Sequence, residues 1–193
     1  MRYPADHKQQ TRERIVRAAA RRFRSRGSDG AAIVRLMRDL RLTHGGFYRH
    51  FVSKEELFVE AFGRALVELD GRLAAAADAA PPGGEAKAII DEYLSLDHCD
   101  NAADGCPVAA LAAELARRQP AARAACQRAL RDHVGRMSKY MPGATGEERA
   151  RNAAMLFSGM AGTLTLARTM PDQESRRRIL EGARTFYLGA IGR

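Results

Sequence analysis

The stretch of sequence that decides the fold runs from residue 33 to residue 57 and reads IVRLMRDLRLTHGGFYRHFVSKEEL. Its first part carries apolar residues at helical spacing. Thr43 is a good N-cap for a second short helix, and Ser53, with Glu56 three residues later, forms a capping box that opens a longer helix. Two short helices joined by a tight turn inside a basic segment predict a helix-turn-helix.

Two glycines stand at the start of the predicted second helix. Inside a helix, Gly45 and Gly46 would each cost roughly 1 kcal/mol relative to alanine. The pair is favourable where the backbone must approach another surface closely, and here we expect that surface to be the floor of a DNA major groove. The alternative is a poorly formed, mobile helix start.

The residues after these glycines divide between a buried and an exposed face. Phe47 and Phe51 are four residues apart, so they share one helical face and are predicted to be core. Tyr48 lies off that face, where its hydroxyl could donate to a DNA phosphate. The alternative is a half-buried core aromatic whose hydroxyl is solvated. Lys54 lies in a first helical turn, where a cation beside free N–H groups suits an anion; the alternative is an ordinary surface lysine.

Positive charge is concentrated in the first quarter of the chain. Residues 1–54 hold 14 basic and 4 acidic side chains, a net charge of +10. Because the whole chain has a net charge of +9, the remaining residues carry only −1. This asymmetry predicts a polyanion-binding module joined to a neutral body, with a solvated basic helix as the alternative.

The whole chain of 193 residues reads as helix, and no stretch alternates with period two for long enough to predict a strand. We expect an all-α fold of about nine helices, with a polar loop over residues 97–105. The apolar fraction of 46% excludes a disordered chain, and no apolar run approaches the roughly 18 residues that span a bilayer. The polar start argues against a secretory signal, and three cysteines, an odd number, favour a reducing cytosol. We therefore expect a cytoplasmic protein.

Residues 15–62 resemble the DNA-binding domain of the tetracycline-repressor (TetR) family. The matching elements are Ile15-Val-Arg-Ala-Ala-Ala-Arg-Arg-Phe23, Gly27, Leu42-Thr-His-Gly-Gly-Phe-Tyr-Arg-His-Phe51 and Ser53-Lys-Glu-Glu-Leu57. The resemblance implies a homodimeric transcriptional regulator, usually a repressor, and not an enzyme. It implies a helix-turn-helix DNA-binding domain over residues 1–54 and a helical effector-binding and dimerisation domain over residues 55–193.

The same resemblance implies partners and residue roles. The partners are double-stranded operator DNA, a second copy of the chain and an unknown small-molecule effector, with no membrane and no cofactor. The residues implied to bind DNA are those that face the groove (Thr43, His44, Gly45 and Gly46), those that meet phosphates (Tyr48, His50 and Lys54), and Arg49, which could do either. A second stretch, Asp104-Gly-Cys-Pro-Val-Ala-Ala-Leu111, resembles a segment in one branch of the family's ligand-binding domains.

The chain departs from the family pattern in two places. The family commonly has Ala-Gly before the recognition helix, where this chain has Leu40-Arg41. If the turn keeps its left-handed residue, Arg41 adopts a strained conformation that glycine would avoid. The segment Gly30-Ala-Ala-Ile33 lacks the hydroxyl residue that usually caps the second helix.

The C-terminal part of the chain suggests a dimer surface. Small residues around Gly159 and Gly162 allow close helix approach. The dimer candidates are Phe157, Gly159, Gly162, Leu164, Ile179, Phe186 and Tyr187. For each of these residues, packing within one chain is the alternative.

The cysteines suggest a thiol sensor. Cys106 opens a predicted helix, where the helix dipole lowers the pKa of a thiol, and Cys99 follows His98 in the predicted loop. Cys126 lies in an alanine-rich stretch and is predicted to be inert core. The alternative for Cys106 and Cys99 is that each is a small buried hydrophobe. His98, Cys99, Asp100 and Asp104 do not have the spacing of a closed metal site, so no metal is expected.

Four functions remain open from the sequence. The first is a ligand-responsive dimeric DNA-binding regulator, with repression relieved by an effector. The second is a regulator that senses oxidants or electrophiles through Cys106 or Cys99. The third is a small helical enzyme whose basic N-terminus holds an anionic substrate, although no acid–base or nucleophile–base set has convincing spacing. The fourth is a basic adaptor for a membrane surface or an acidic protein.

Overall fold

The computed structural model describes residues 5–28 and 31–191, and this part of the chain is entirely helical and contains no strand. Ten α-helices follow one another. They are α1 Ala5–Arg26, α2 Ala31–Asp39, α3 His44–Phe47, α4 Lys54–Asp78, α5 Glu85–Tyr93, α6 Leu96–Asp100, α7 Pro107–Ala116, α8 Pro120–Ser138, α9 Gly146–Ala167 and α10 Gln173–Ile191. A 3-10 turn, Ala102–Asp104, joins α6 to α7. The all-α prediction is confirmed.

The short helix α6 lies where the sequence predicts a polar loop. Ser95 caps it, because its side chain accepts a hydrogen bond from the backbone N–H of His98 at 3.1 Å. His98 and Cys99 are buried, so tertiary contacts stabilise a helix that has little apolar periodicity of its own. This helix brings the number among the described residues to ten.

The first of two apolar cores joins α1, α2, α3 and the first half of α4, and it also includes Leu111 of α7 and Cys126 of α8. Ile15 and Phe23 of α1 pack in it with Ile33 and Leu36 of α2. Phe47 and Phe51 are fully buried and stack with their ring centroids 5.4 Å apart, as their four-residue spacing predicts. This core holds the helix-turn-helix on α4.

The turn between α2 and α3 contains a non-glycine residue in the left-handed region. Arg41 has a φ of 58°, and Leu42 donates its N–H back to the carbonyl of Met37 at 2.8 Å. The expectation of a left-handed Arg41 is therefore confirmed. The other departure from the family pattern begins at Gly30, and the Gly30 position and the side chains of residues 31 and 32 lie outside what the structure describes.

The second core fills the body formed by the rest of α4 and by α5 to α10. Its members include Leu69 and Leu73 of α4, Ile90 of α5 and Leu164 of α9. Pro120 occupies the first turn of α8, and Thr145 forms a capping box with Glu148 at the start of α9.

Helix α4 contributes to both cores. Its residues up to Leu66 pack with the first core, and those from Leu69 onward pack with the second. The division between domains at residues 54 and 55 stays a prediction. No helix in residues 5–28 and 31–191 is both long and apolar enough to cross a membrane.

Candidate nucleic-acid interface

Helix α3 is a single turn that is held by its cap and by its buried aromatics. The Thr43 hydroxyl accepts a hydrogen bond from the N–H of Gly46 at 3.1 Å. After α3, His50 and Phe51 donate their N–H groups back to the carbonyl of Phe47. Because Phe47 and Phe51 anchor one side in the core, the opposite side of α3 faces outward.

The predicted DNA-binding residues all keep some exposed surface. Gly46 and His50 are half-buried, and the exposed members of the set are Thr43, His44, Gly45, Tyr48, Arg49 and Lys54. The Tyr48 side chain is 58% exposed, and its ring meets that of His44 edge-on. A Cβ added to Gly45 would meet open space, so packing within the chain does not require glycine there.

The basic side chains of the first 54 residues fall into two groups. Some are tied to acidic residues: Arg12 pairs with Glu56 and Glu60, and Arg24 pairs with Glu68. Arg21 and Arg22 likewise pair with Asp104 and Asp39. The others form no ion pair with any residue that the structure describes. They are Lys8, Arg14, Arg17, Arg26, Arg35, Arg38, Arg41, Arg49 and Lys54.

Two of these cations join the site although the sequence analysis did not place them there. Lys8 near the start of α1 and Arg41 of the turn line a groove together with Arg49, His50 and Thr43. Burial, with Lys8, Arg12 and Arg49 nearby, lowers the pKa of His50. A cluster of cations that disfavours a further positive charge is a surface that favours phosphate. Only the packing of α1 beside α3 reveals Lys8.

Lys54 is the charged residue in the first turn of α4 that forms no ion pair with the described residues. Its neighbour Glu55 pairs with Arg118 at 2.9 Å, and Glu56 pairs with Arg12. The side chain of Ser53 accepts from the N–H of Glu56, so the start of the helix is capped. Because both carboxylates are engaged elsewhere, the exposed Lys54 ammonium is available to an external anion.

Cys106 and Cys99 lack the exposure and the lowered thiol pKa that a thiol sensor needs. Cys106 and Cys99 are 0% and 3% exposed, and burial raises the pKa of both thiols. Cys106 does precede a helix, α7, but desolvation outweighs the helix dipole, so the expectation of a lowered pKa is wrong. Cys126 is buried as predicted, and burial raises its pKa to about 11. A sensing role for Cys106 or Cys99 stays a prediction without support from their surroundings.

Two of the dimer candidates are buried within a single chain and do not lie on its surface. Phe157 and Leu164 are buried in the body of a single chain, where Phe157 packs against the rings of Tyr93 and His133. A buried side chain has no surface left for a partner subunit, so both are core residues.

The remaining dimer candidates lie on α9 and α10. Gly159 allows the close approach of Tyr187 within the chain, and Ile179 packs on the body core. Gly162 and Phe186 are exposed, and Phe186 is 69% exposed. These two residues share the outer surface of α9 and α10 with exposed Met155 and Leu166, which the sequence analysis missed because spacing alone does not say which side of a helix is covered.

Both parts of the chain match families of transcriptional regulators. Residues 15–61 match the family model of bacterial regulatory proteins of the TetR family. Residues 82–181, about half of the chain, match the model of the C-terminal domain of LmrA/YxaF-like transcriptional regulators.

Individual relatives and structures agree with these matches. The HTH-type transcriptional regulator LmrA of Bacillus subtilis is 27% identical over 169 residues, which cover 83% of this chain and 90% of the relative. A TetR transcriptional regulator from Chloroflexus aurantiacus superimposes with a TM-score of 0.73 at 25% identity, covering 94% of this chain and 96% of the other. A TetR-family regulator from Cytophaga hutchinsonii gives a TM-score of 0.74 at 19% identity, with coverage of 95% and 96%, and supports the fold alone. The matched proteins are transcriptional regulators and not enzymes. The chain belongs to the TetR family of transcriptional regulators, with an N-terminal helix-turn-helix DNA-binding domain and an LmrA/YxaF-like C-terminal domain.

Proposed function

We propose that the protein is a homodimeric repressor that leaves its operator when a small molecule binds in its body. The observation that carries this proposal is the outward face of α3. It presents Thr43, His44 and Gly45 beside cations that have no acidic partner among the described residues. Side chains at the start of a recognition helix read base edges, and the surrounding cations meet phosphates.

The outer surface of α9 and α10 supports the homodimer. Met155, Leu166 and Phe186 are between 54% and 69% exposed on two neighbouring helices. Burying this apolar surface against a second copy would stabilise the pair by the hydrophobic effect. A two-fold dimer carries two α3 helices and therefore reads a palindromic operator with half-sites about one helical turn, or a small multiple of it, apart.

Helix α4 supports the response to an effector. It belongs to the core that carries α3 and also to the core of the body. Arg12 and Arg24 of α1 are further tied to Glu56, Glu60 and Glu68 of α4. A ligand that tilts α4 would move the helix-turn-helix with it and change the distance between the two α3 helices.

A DNA-binding experiment tests the proposal. The purified protein would select duplexes from a random pool, and affinity for the selected duplex would be measured by fluorescence anisotropy over a range of salt concentrations. Affinity should fall steeply as salt rises, because cations that contact phosphates release counterions. Lys54→Ala should weaken all duplexes about equally and reduce the salt slope by about 1, whereas His44→Ala should change the preferred sequence.

The control for these variants is Arg123→Ala, since Arg123 is an exposed arginine of α8 without an ion pair among the described residues. It should bind like the wild type. Affinity that does not depend on salt, or identical behaviour of all three variants, would contradict the proposal.

A further inference from the structure

Several buried polar atoms of the body have no hydrogen-bond partner in the part of the chain that the structure describes, and two of them belong to Tyr93 and Arg168, which both contact His98. Tyr93, the last residue of α5, is fully buried, and its hydroxyl has no hydrogen-bond partner among the described residues other than the neighbouring Cys106 thiol. The Cys106 thiol lies beside it, but a thiol is only a weak hydrogen-bonding group. Burial raises the pKa of Tyr93 well above its usual value, so its hydroxyl stays protonated and can donate.

Arg168, the C-cap residue that follows α9, brings a guanidinium to the same place. Its Nη2 donates to the carbonyl of His98 at 2.8 Å, and its Nε donates to the carbonyl of Cys99 at 3.0 Å. The His98 ring in turn meets the Tyr93 ring edge-on, 4.8 Å between centroids. The third nitrogen, Arg168 Nη1, is buried without a partner. One edge of this guanidinium therefore holds α6, and the remaining N–H groups have nothing to bind.

Arg72 of α4 is a second cation in this region. Its Nε is buried without a partner, and Arg72 forms no hydrogen bond or ion pair with the described residues. Arg72 lies on α4 between Leu69 and Leu73, which pack in the same core as Tyr93. The positive charges of Arg72 and Arg168 both lower the pKa of Tyr93 and that of His98, which agrees with this placement.

The neighbouring carboxylates are committed to other cations. Glu68 pairs with Arg24 and Arg64, and Asp104 pairs with Arg21 and Arg24. Asp100 pairs with Arg176 at 2.7 Å. His98 accepts from the N–H of Cys106 and is neutral near pH 7, since burial lowers its pKa to about 4. Arg72 and Arg168 therefore form a partly buried positive site that lacks a counterion within the described chain.

Partly buried guanidiniums without a counterion are costly, and an anion from outside would remove that cost. We propose that Arg72, Arg168 and the Tyr93 hydroxyl bind the carboxylate of a small, otherwise apolar molecule, which is the effector if the proposed function is right. A carboxylate matches the planar donor fork of arginine, and the tyrosine hydroxyl adds a third donor. The rest of such a molecule would meet the apolar side chains of the body core, among them Phe157, whose ring contacts Tyr93.

This site lies one short segment away from the DNA-binding domain. Arg168 holds the carbonyls of α6, and the next segment along the chain ends at Gly105, which packs so closely on His98 and Arg168 that a Cβ would not fit. The carbonyl of Gly105 accepts from Arg24 of α1 at 3.2 Å. A carboxylate bound at Arg168 would therefore act on a segment that directly contacts α1.

Carboxylate binding can be tested with matched pairs of small probes. Benzoate, phenylacetate and octanoate would each be compared with the corresponding neutral amide, at constant ionic strength, by isothermal titration calorimetry and by the shift in Tm of the full-length protein. At least one carboxylate should bind and raise the Tm, and its amide should bind at least about tenfold more weakly because hydrogen bonds to a charged group are lost.

Three variants show whether the proposed residues carry the binding. Arg72→Gln should weaken the carboxylate at least about tenfold, and the fold should survive because Arg72 has no described partner to lose. Tyr93→Phe should weaken it severalfold while raising the Tm of the free protein, since it removes a buried hydroxyl without a partner. Arg131→Gln, at an exposed arginine of α8 that forms no ion pair with the described residues, is the matched control and should bind like the wild type.

The result that overturns the site is that no carboxylate binds more tightly than its amide, or that Arg72→Gln binds like the wild type. Operator affinity of the same samples separates this outcome from failure of the proposed function. A protein that binds its selected duplex but no carboxylate contradicts only the anionic site. A protein that binds the carboxylate through Arg72 while operator affinity stays unchanged supports the site and contradicts its role as the effector site.

Discussion

At the scale of single residues, Arg41 combines a structural cost with a place in the interface. Its φ of 58° lies in the left-handed region, which disfavours residues with a Cβ by roughly 1–2 kcal/mol. Its side chain is exposed and lines the groove beside Lys8 and Arg49. A glycine would relieve the strain but would remove a cation from the surface that we expect to meet phosphate.

We therefore expect opposite effects of Arg41→Gly on stability and on DNA binding. The free energy of unfolding, measured with urea, should rise by about 1 kcal/mol, and affinity for the selected duplex should fall. Arg38→Gly is the matched control, since Arg38 is an exposed arginine within α2. That change should lower stability by about 1 kcal/mol, as glycine does inside a helix. A loss of stability in Arg41→Gly would show that the turn is not strained.

His98 links stability to pH. It is 2% exposed, its Nδ1 lies 2.6 Å from the Tyr93 carbonyl, and its Nε2 accepts from Cys106. In this arrangement the neutral ring donates through Nδ1 and accepts through Nε2, so a second proton would break the bond to Cys106. Burial lowers its pKa to about 4, whereas an unfolded histidine has a pKa of about 6.5.

Because the unfolded state takes up this proton first, acid should destabilise the fold through His98. The free energy of unfolding should be highest above pH 6.5 and should fall by up to about 3 kcal/mol as the pH drops from 6.5 to 4. Urea titrations at intervals of half a pH unit measure this slope. His98→Gln should flatten it, and His44→Gln, a change at an exposed histidine, should keep it. An equal slope in all three proteins would contradict the assignment.

At the scale of the element, α3 is the weakest helix by sequence and the one that we propose binds DNA. It has four residues, two of them glycine, and owes its position to the Thr43 cap and to the buried rings of Phe47 and Phe51. A Cβ at Gly45 would meet open space within the chain. The glycine is therefore dispensable for the fold, and we attribute it to close approach of a partner.

Gly45→Ala separates these two roles. The variant should be more stable by about 0.5–1 kcal/mol, because alanine favours the helix. Its affinity for the selected duplex should nevertheless fall, because the new methyl group stands between the α3 backbone and the DNA. Higher stability with unchanged affinity would mean that Gly45 does not approach DNA.

At the scale of the whole molecule, two surfaces differ in character. The outward face of α3 is cationic and polar, whereas the outer surface of α9 and α10 presents Met155, Leu166 and Phe186. The first suits a polyanion, and the second suits an apolar surface of another copy. A dimer formed through α9 and α10 would carry both α3 helices to one duplex.

Phe186→Arg should therefore convert the protein to a monomer and weaken operator binding much more than it affects stability. A charge in the middle of an apolar interface must be desolvated, which costs several kcal/mol when no partner is available. Sedimentation equilibrium gives the oligomeric state. Val67→Arg, at a comparably exposed apolar residue of α4, should leave the mass unchanged. Equal masses for both variants and the wild type would place the interface elsewhere.

The sequence by itself determined the helices other than α6 and the position of the helix-turn-helix. Helical spacing, caps such as Thr43 and Ser53, and the excess of positive charge in residues 1–54 are local properties, so they can be recognised without knowing the fold. The same local pattern predicted that Phe47 and Phe51 are buried, which the structure confirms.

Only the tertiary structure decided which side of each helix is covered and which charges are paired. Desolvation depends on neighbours from distant parts of the chain, so the burial that raises the pKa of Cys106 could not be foreseen from its place before a helix. Phe157 is core and Phe186 is surface for the same reason. Arg12 is bound to α4 while Lys8, four residues earlier, joins the groove beside α3, because charge pairing depends on how whole helices pack together.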